Sequence, residues 1–186
     1  MTQRSTRTQG TGPSSSGAVR WCARRGFTLI ELLVTIALVA ILLALAAPSL
    51  RDASLSSTLA ANANRLVASA TLARSEAIKR NTPITLCTSI NGTSCATTGQ
   101  WEQGWIVLNG ATVLLYEQAA PAGFKITASP AGTASLSFQA TGVGSTQADY
   151  FTVCRATPTA GIQERVVSVW ATGRTYVKKT TTGVCT

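Results

Sequence analysis

The side chains able to do chemistry in this 186-residue chain are few, and they fall in three places. The stretch RRGFTLIELL, residues 24–33, sets Gly26 and Phe27 directly behind two arginines and places a lone carboxylate, Glu31, inside an apolar run. Cys87, Cys95, Cys154 and Cys185 are spread over the second half, with a fifth cysteine, Cys22, ahead of the apolar run. Near the C-terminus, GRTYVKK interleaves Arg174, Lys178 and Lys179 with Tyr176. Histidine is absent, which excludes His-based triads and His metal sites, and no P-loop, no GxGxxG after a strand and no CxxC occurs. Seven scattered acids do not supply the convergent groups that catalysis needs, so no catalytic residue, metal ligand or cofactor is assigned and no enzyme is expected.

Glu31 is the informative group. The run FTLIELLVTIALVAILLALAA, from Phe27 to Ala47, holds no other formal charge. At 1.5 Å per helical residue it measures roughly 30 Å, the thickness of a bilayer's hydrocarbon core. It exceeds the apolar core of a secretory signal peptide, typically about 7 to 15 residues. An ionised carboxylate in hydrocarbon is costly unless paired, and marks function by default. Arg20, Arg24 and Arg25, with no acid before Glu31, place the N-terminal flank in the cytoplasm and send the rest of the chain outward.

Composition agrees with that topology. Residues 1–26 are rich in Ser, Thr, Gly and Arg, lack acids and show no apolar periodicity, as expected of an unstructured cytoplasmic leader. They carry five of the 16 Lys and Arg, so removing them leaves 11 basic against seven acidic residues and lowers the formal charge from +9 to +4. Whole-chain charge is thus no safe argument for nucleic acid. The four remaining cysteines are an even set that suits two disulfides in an oxidising compartment.

The elements that must position these groups follow from periodicity. Pro48 is expected to kink or loosen the helix, having no N–H. Helical spacing then resumes at Leu55, Leu59, Asn62, Leu66, Ala70, Ala73 and Ala77, one mostly apolar stripe, and fades before Pro83. Arg51, Arg65, Arg74 and Lys79 fall off the stripe, and Arg74, Glu76 and Lys79 are expected on a solvated face with local charge pairing. Beyond Pro83 come eight short β-branched runs: ITLCTSI, GWIVLNG, TVLLYEQ, FKITA, ASLSFQA, YFTVCR, RVVSVWA and GRTYVKK. LNGAT signals a hairpin, and Trp101 and Trp105 are expected as core aromatics. Positions 87 and 95 are symmetric about Asn91, so an odd-loop hairpin around INGTS would set Cys87 opposite Cys95; Cys154 and Cys185 would then close the C-terminal strands. The expected fold class is α+β.

RRGFTLIELL followed by Pro48 resembles the type III signal sequence of type IV pilins and type II secretion pseudopilins. The resemblance implies cleavage after Gly26 by a prepilin peptidase, methylation of the new N-terminal Phe27, and filament assembly through Glu31 and Pro48. Glu31 would pair with the Phe27 amine of a neighbouring subunit. ARSEAIKRNTPITLC, WEQGWIVL, LSFQATG and the terminal CRATPTAGIQERVVSVWATGRTYVKK extend it towards the GspH/FimT family of minor pilins and pseudopilins, from about residue 25 to the C-terminus.

That family implies the type IV pilin fold, a long N-terminal helix packed on an antiparallel β-sheet head. It also implies a leader at 1–26, a transmembrane and polymerisation helix at 27–53, and a periplasmic head at 54–186, helical over 54–80 and β-rich over 84–186. The protein would be a single-pass inner-membrane subunit whose partners are other minor and major pilins or pseudopilins and the prepilin peptidase. A type IV pilus tip role is favoured by NGTSC and the C-terminal cysteine pair; a GspH-type secretion role is the alternative.

GRTYVKK opens a further class, a DNA-uptake receptor. In a strand, Arg174, Tyr176 and Lys178 share one face while Lys179 takes the other, and Arg165 and Arg155 lie on adjacent strand ends. Basic groups interleaved with an aromatic suit backbone contact and base stacking. DNA-binding members of the family resemble a Gly-Arg-x-Arg pattern at this place, where the second Arg is replaced by Tyr176. An edge strand guarded by cations is the simpler reading.

Cleavage between Gly26 and Phe27 predicts a mature chain of 160 residues, 186 less 26, with a methylated N-terminus. Intact-mass analysis of membrane-extracted protein checks this, and assembled protein that retains the leader would refute it.

Overall fold

The computed structural model describes residues 26–145, 150–156, 163–180 and 185, and of residues 47–49 the backbone alone. Most of the leader, with Cys22, lies outside the described residues. By its contacts the chain divides into two units between Ala44 and Leu45.

One helix, α1, runs from Leu29 to Arg80, 52 residues or about 78 Å of axial rise. The backbone stays helical across Pro48; a proline removes one N–H bond, and the neighbouring bonds carry the helix past it. The side chain of Pro48 lies outside the described residues.

Eight strands follow among the described residues, one for each β-branched run: β1 (Ile84–Thr88), β2 (Trp105–Asn109), β3 (Thr112–Glu117), β4 (Phe124–Ser129), β5 (Ser135–Phe138), β6 (Tyr150–Arg155), β7 (Glu164–Val169) and β8 (Thr175–Thr180). They form two antiparallel four-stranded sheets, ordered β3-β2-β1-β5 and β4-β6-β7-β8, where the sequence suggests a single sheet. LNGAT makes the β2–β3 turn, pairing Asn109 with Thr112 around Gly110 and Ala111. A positive φ at Gly110 and not at Ala111 is the type II′ pattern.

Both sheets turn one face to α1. Leu59, Asn62, Leu66, Ala70, Ala73 and Ala77 are buried with Ala63 and Ser69, and Leu55 packs at the margin. Against them lie Ile84, Leu86, Trp105, Val107, Leu136 and Phe138 from the first sheet. The second sheet adds Phe124, Ile126, Ala128, Phe151, Val153, Val167 and Val169. Small residues on the helix let the sheets approach, and the two tryptophans fill the space that remains. Trp105 donates from Nε1 to Ser69 Oγ at 2.8 Å, and Trp101 to the Thr133 carbonyl at 2.7 Å. Trp101 also meets Phe151 edge-on, with centroids 4.8 Å apart. Their polar ends are satisfied, so these rings are core rather than a ligand platform.

Arginines tie the helix to the sheets. Arg65 bonds Glu117 and the Gln118 carbonyl, both at 2.8 Å, with its guanidinium over the Trp105 ring. Arg74 does not sit on a solvated face as expected, because its Nε donates to the Gly142 carbonyl at 3.2 Å. Glu76 does pair locally: the Arg80 guanidinium, with Lys79 nearby, holds its carboxyl below the usual carboxylate range.

Two turns with the same central Ala-Thr-Gly meet at Arg74. Gln139-Ala-Thr-Gly142-Val143 and Trp170-Ala-Thr-Gly173-Arg174 share a hydrogen-bond pattern, in which the first residue's N–H reaches the fifth carbonyl and the glycine N–H returns to the first. Each ends on a glycine at positive φ, 79° and 74°, as a three-residue hairpin with a glycine bulge requires. They also touch: Gly144 N–H donates to the Ala171 carbonyl at 2.9 Å, joining β5's side to the β7–β8 hairpin.

The cysteines pair as Cys87–Cys95 and Cys154–Cys185, with Cα separations of 5.5 and 5.7 Å. No hairpin brings the first pair together: β1 ends at Thr88, and no strand follows until Trp105. Asn91 Oδ1 instead accepts from the backbone N–H groups of Thr93 and Ser94, at 2.9 and 3.0 Å, and folds the loop back on itself. The bridge adds to a second small cluster of Cys87, Ile106 and Leu108 on the far face of the first sheet.

At Gly173 an added Cβ would run into the Gly142 carbonyl oxygen and lie 2.8 Å from Arg74 Nε, whereas at Gly110, φ 59°, it would meet open space. Gly173→Ala is expected to cost more than about 2 kcal/mol in urea titrations, and Gly110→Ala about 1 kcal/mol, the strain of a left-handed alanine alone. Equal costs would remove the twin-turn contact as a source of stability.

Candidate functional site

Two places remain once the core has used its residues. The first is the start of α1. Thr28 Oγ1 accepts from the Glu31 backbone N–H at 3.2 Å, so Thr28 caps the helix and Glu31 stands third in its first turn. This T-x-x-E arrangement is a capping-box pattern, legible in the sequence and missed there, and an acid in the first turn also suits the helix dipole. From Phe27 to Leu45 the large apolar side chains are all exposed, Phe27 at 77% and Leu45 at 73%. Among the described residues Glu31 is the one charge in that stretch.

The second place is the outer face of the β7–β8 hairpin. Register pairs Tyr176 with Ser168 and Lys178 with Val166, while Val177 and Lys179 pair with Val167 and Arg165. Val167 belongs to the core, so Val177 and Lys179 share the core side, and Tyr176 and Lys178 face outward. Arg174 joins them, since its carbonyl accepts from Trp170 N–H one step further along the ladder. Trp170 completes the group. It is 58% exposed and lies 6.4 Å from Tyr176 between ring centroids, and Trp170, Thr172, Arg174, Thr175 and Tyr176 line a notch of about 450 Å³. Trp170 was not singled out from the sequence, although alternation in RVVSVWATG puts it on the face opposite Val167 and Val169.

Two other cations do not reach this face. Arg165 is buried on the core side, where its Nη2 donates to Ser56 Oγ at 2.8 Å and its Nη1 to the Glu164 carbonyl at 3.0 Å. Arg155 pairs with Phe124 in register and lies over that ring on the helix-facing side. The outer face therefore offers Arg174 and Lys178 with two aromatics, fewer charges than the strand ends suggest. Cys154 and its bridge to Cys185 occupy the same face at β6. No cluster of three or more His, Cys, Asp or Glu able to hold a metal occurs among the described residues.

A family model described as Type II transport protein GspH matches residues 62–173, and one for the prokaryotic N-terminal methylation motif matches residues 21–47. The crystal structure of the type IV minor pilin FimU of Pseudomonas aeruginosa is 22% identical, with a TM-score of 0.52 over 64% of this chain and 87% of that one. The minor pseudopilin EpsH from the Type 2 Secretion System of Vibrio cholerae is 12% identical, with a TM-score of 0.45 over 65% of this chain and 96% of that one. No curated protein matches the sequence. The likeness to FimU is one of fold, the type IV pilin fold. With the family match covering the last third of α1 and the sheets through the second ATG turn, and the methylation motif covering the apolar run, the chain belongs to the GspH family of minor pilins and pseudopilins.

Proposed function

We propose that this chain is a minor pilin of a type IV pilus. In this reading it is made as a prepilin, cut after Gly26, methylated at Phe27, and held in the inner membrane by residues 27–53 with its head, residues 54–186, in the periplasm. It then enters the filament at or near the tip and helps to start assembly, beside other minor and major pilins. The carrying observation is the exposed apolar start of α1 with Glu31 in its first turn, a surface that needs a membrane or neighbouring helices to cover it. Its work is structural rather than catalytic. The alternative, a GspH-type minor pseudopilin in a type II secretion system, uses the same anchor.

A second, additional role in DNA binding is favoured by the outward group of Trp170, Arg174, Tyr176 and Lys178. Two flat rings beside two cations suit single strands, whose bases are free to stack.

Glu31 has two jobs to separate, charge pairing and helix capping. Glu31→Gln keeps a capping-competent side chain and loses the charge, so both Glu31→Gln and Glu31→Ala are expected to be cleaved normally and to be lost from sheared filaments in immunoblots. Normal incorporation of Glu31→Gln would remove the pairing with the Phe27 amine. Recovery of wild-type protein from sheared surface pili supports the pilus, whereas retention in the envelope with loss of a secreted protein on deletion supports the pseudopilin.

For DNA, mobility shifts should find weak binding with single strands held at least as well as duplex. Two phosphate contacts give a log–log salt slope near −1.4 on single strands, and Arg174→Ala should make it shallower by about 0.7. Trp170→Ala should lose roughly 1 to 3 kcal/mol. No shift at low salt and high protein would leave β8 as a guarded edge strand.

A further inference from the structure

Arg155 carries a donor that its surroundings leave unused: its Nε is buried and has no hydrogen-bond partner among the described residues. The guanidinium lies over the Phe124 ring, 5.7 Å from its centroid, at the mouth of a groove of about 790 Å³ between α1 and the start of β4. Leu50, Arg51, Leu55, Pro121 and Phe124 line the groove with Arg155, and among the described residues no acid lines it; Asp52, next to Arg51 in the chain, is not among the lining residues. An unmet buried donor on a charged group is expensive. A guanidinium fork is also the side chain best matched to a phosphate.

The groove's place along α1 identifies the source of that phosphate. Arg51 is four residues beyond Ala47, where the apolar run ends, which is about 6 Å of helix rise. The headgroup layer of a bilayer is of the same depth, about 5 to 8 Å on each side of the hydrocarbon core. We propose that this groove binds an anionic phospholipid, with Arg155 and Arg51 on the phosphate and the glycerol and upper acyl chain against Leu50, Leu55 and Phe124. The proposal rests on the reading of residues 27–47 as a membrane span. The lipid would hold the waiting subunit at the outer surface of its membrane, and would have to leave when neighbouring helices replace the bilayer.

The test uses full-length protein in nanodiscs and then native mass spectrometry after detergent exchange. Insertion into nanodiscs of phosphatidylcholine alone reports the span, independently of the groove. With mixed lipids, wild-type protein is expected to retain phosphatidylglycerol over phosphatidylcholine at least fivefold. Arg155→Gln and Arg51→Gln should each lower that retention about fivefold, the effect of one cation at a lipid surface. Lys125→Gln, on the outer face of β4, should not change it. Arg51 is exposed, so its variant keeps the test open if Arg155→Gln fails to fold. Retention unchanged in Arg51→Gln, or equal for the two lipids, overturns the groove while leaving the span intact. Displacement by millimolar glycerol 3-phosphate to the same extent as by phosphatidylglycerol assigns the groove to a soluble phosphate and overturns the lipid. A crosslink from position 51 to a second copy in place of lipid assigns it to a neighbouring helix and overturns it too. Failure of wild-type protein to insert overturns the span and the lipid together.

Discussion

The head depends on a single stripe of α1, from Leu59 to Ala77, being shared by two sheets at once. Each sheet has four strands and one core-facing side, and a side of that size left in water would gain nothing by folding. The helix supplies the common surface. Its buried positions shrink from leucine to alanine along the chain, Leu59 and Leu66 giving way to Ala70, Ala73 and Ala77. Where the helix is thin, large side chains come from the sheets. Trp105 of β2 reaches Ser69 on the helix, and Trp101, in the short 3-10 turn Trp101–Gln103 just before β2, packs on Phe151, so rings at the start of β2 meet both the helix and the other sheet.

Around that apolar contact the polar links have a common form, an arginine crossing between elements to a backbone carbonyl, a hydroxyl or, for Arg65, also the Glu117 carboxylate. Arg65 runs from helix to the end of β3, Arg74 from helix to the first ATG turn, and Arg165 from β7 back to Ser56 on the helix. A guanidinium suits the task because it spans several ångströms and offers several donors in one plane. The consequence for function is that Arg165 is withdrawn from the outer face. Three of the head's arginines are spent on holding it together, and the outer face of the hairpin keeps Arg174 and Lys178 beside its aromatics.

The start of α1 obeys a different constraint. Its apolar side chains stay exposed, a surface that calls for a membrane or neighbouring helices to cover it. Helix capping by Thr28 satisfies a terminal donor and leaves the carboxylate of Glu31 at the positive end of the helix dipole. In the proposed reading, an acid in lipid is thereby placed where its cost is least.

Sequence alone determined the features that depend on local pattern. The length of α1, its buried stripe, and the eight strands follow from periods of 3.6 and 2, because burial on one face imposes those periods directly. The GspH family and the methylation motif were legible for a related reason: the peptide carrying Gly26, Phe27 and Glu31 is contiguous. What only the tertiary structure decided involves residues distant in sequence. Periodicity says nothing about which strands become neighbours, so eight runs did not show two sheets. Arg74 looked solvated because its acceptor, the Gly142 carbonyl, lies 68 residues away. Arg165 looked available until the core side of β7 was known, and Trp170 looked like one strand residue among many until the turn set it beside Tyr176. The Asn91 loop stands between these cases, its residues adjacent but its shape set by side-chain hydrogen bonds that carry no periodic signal.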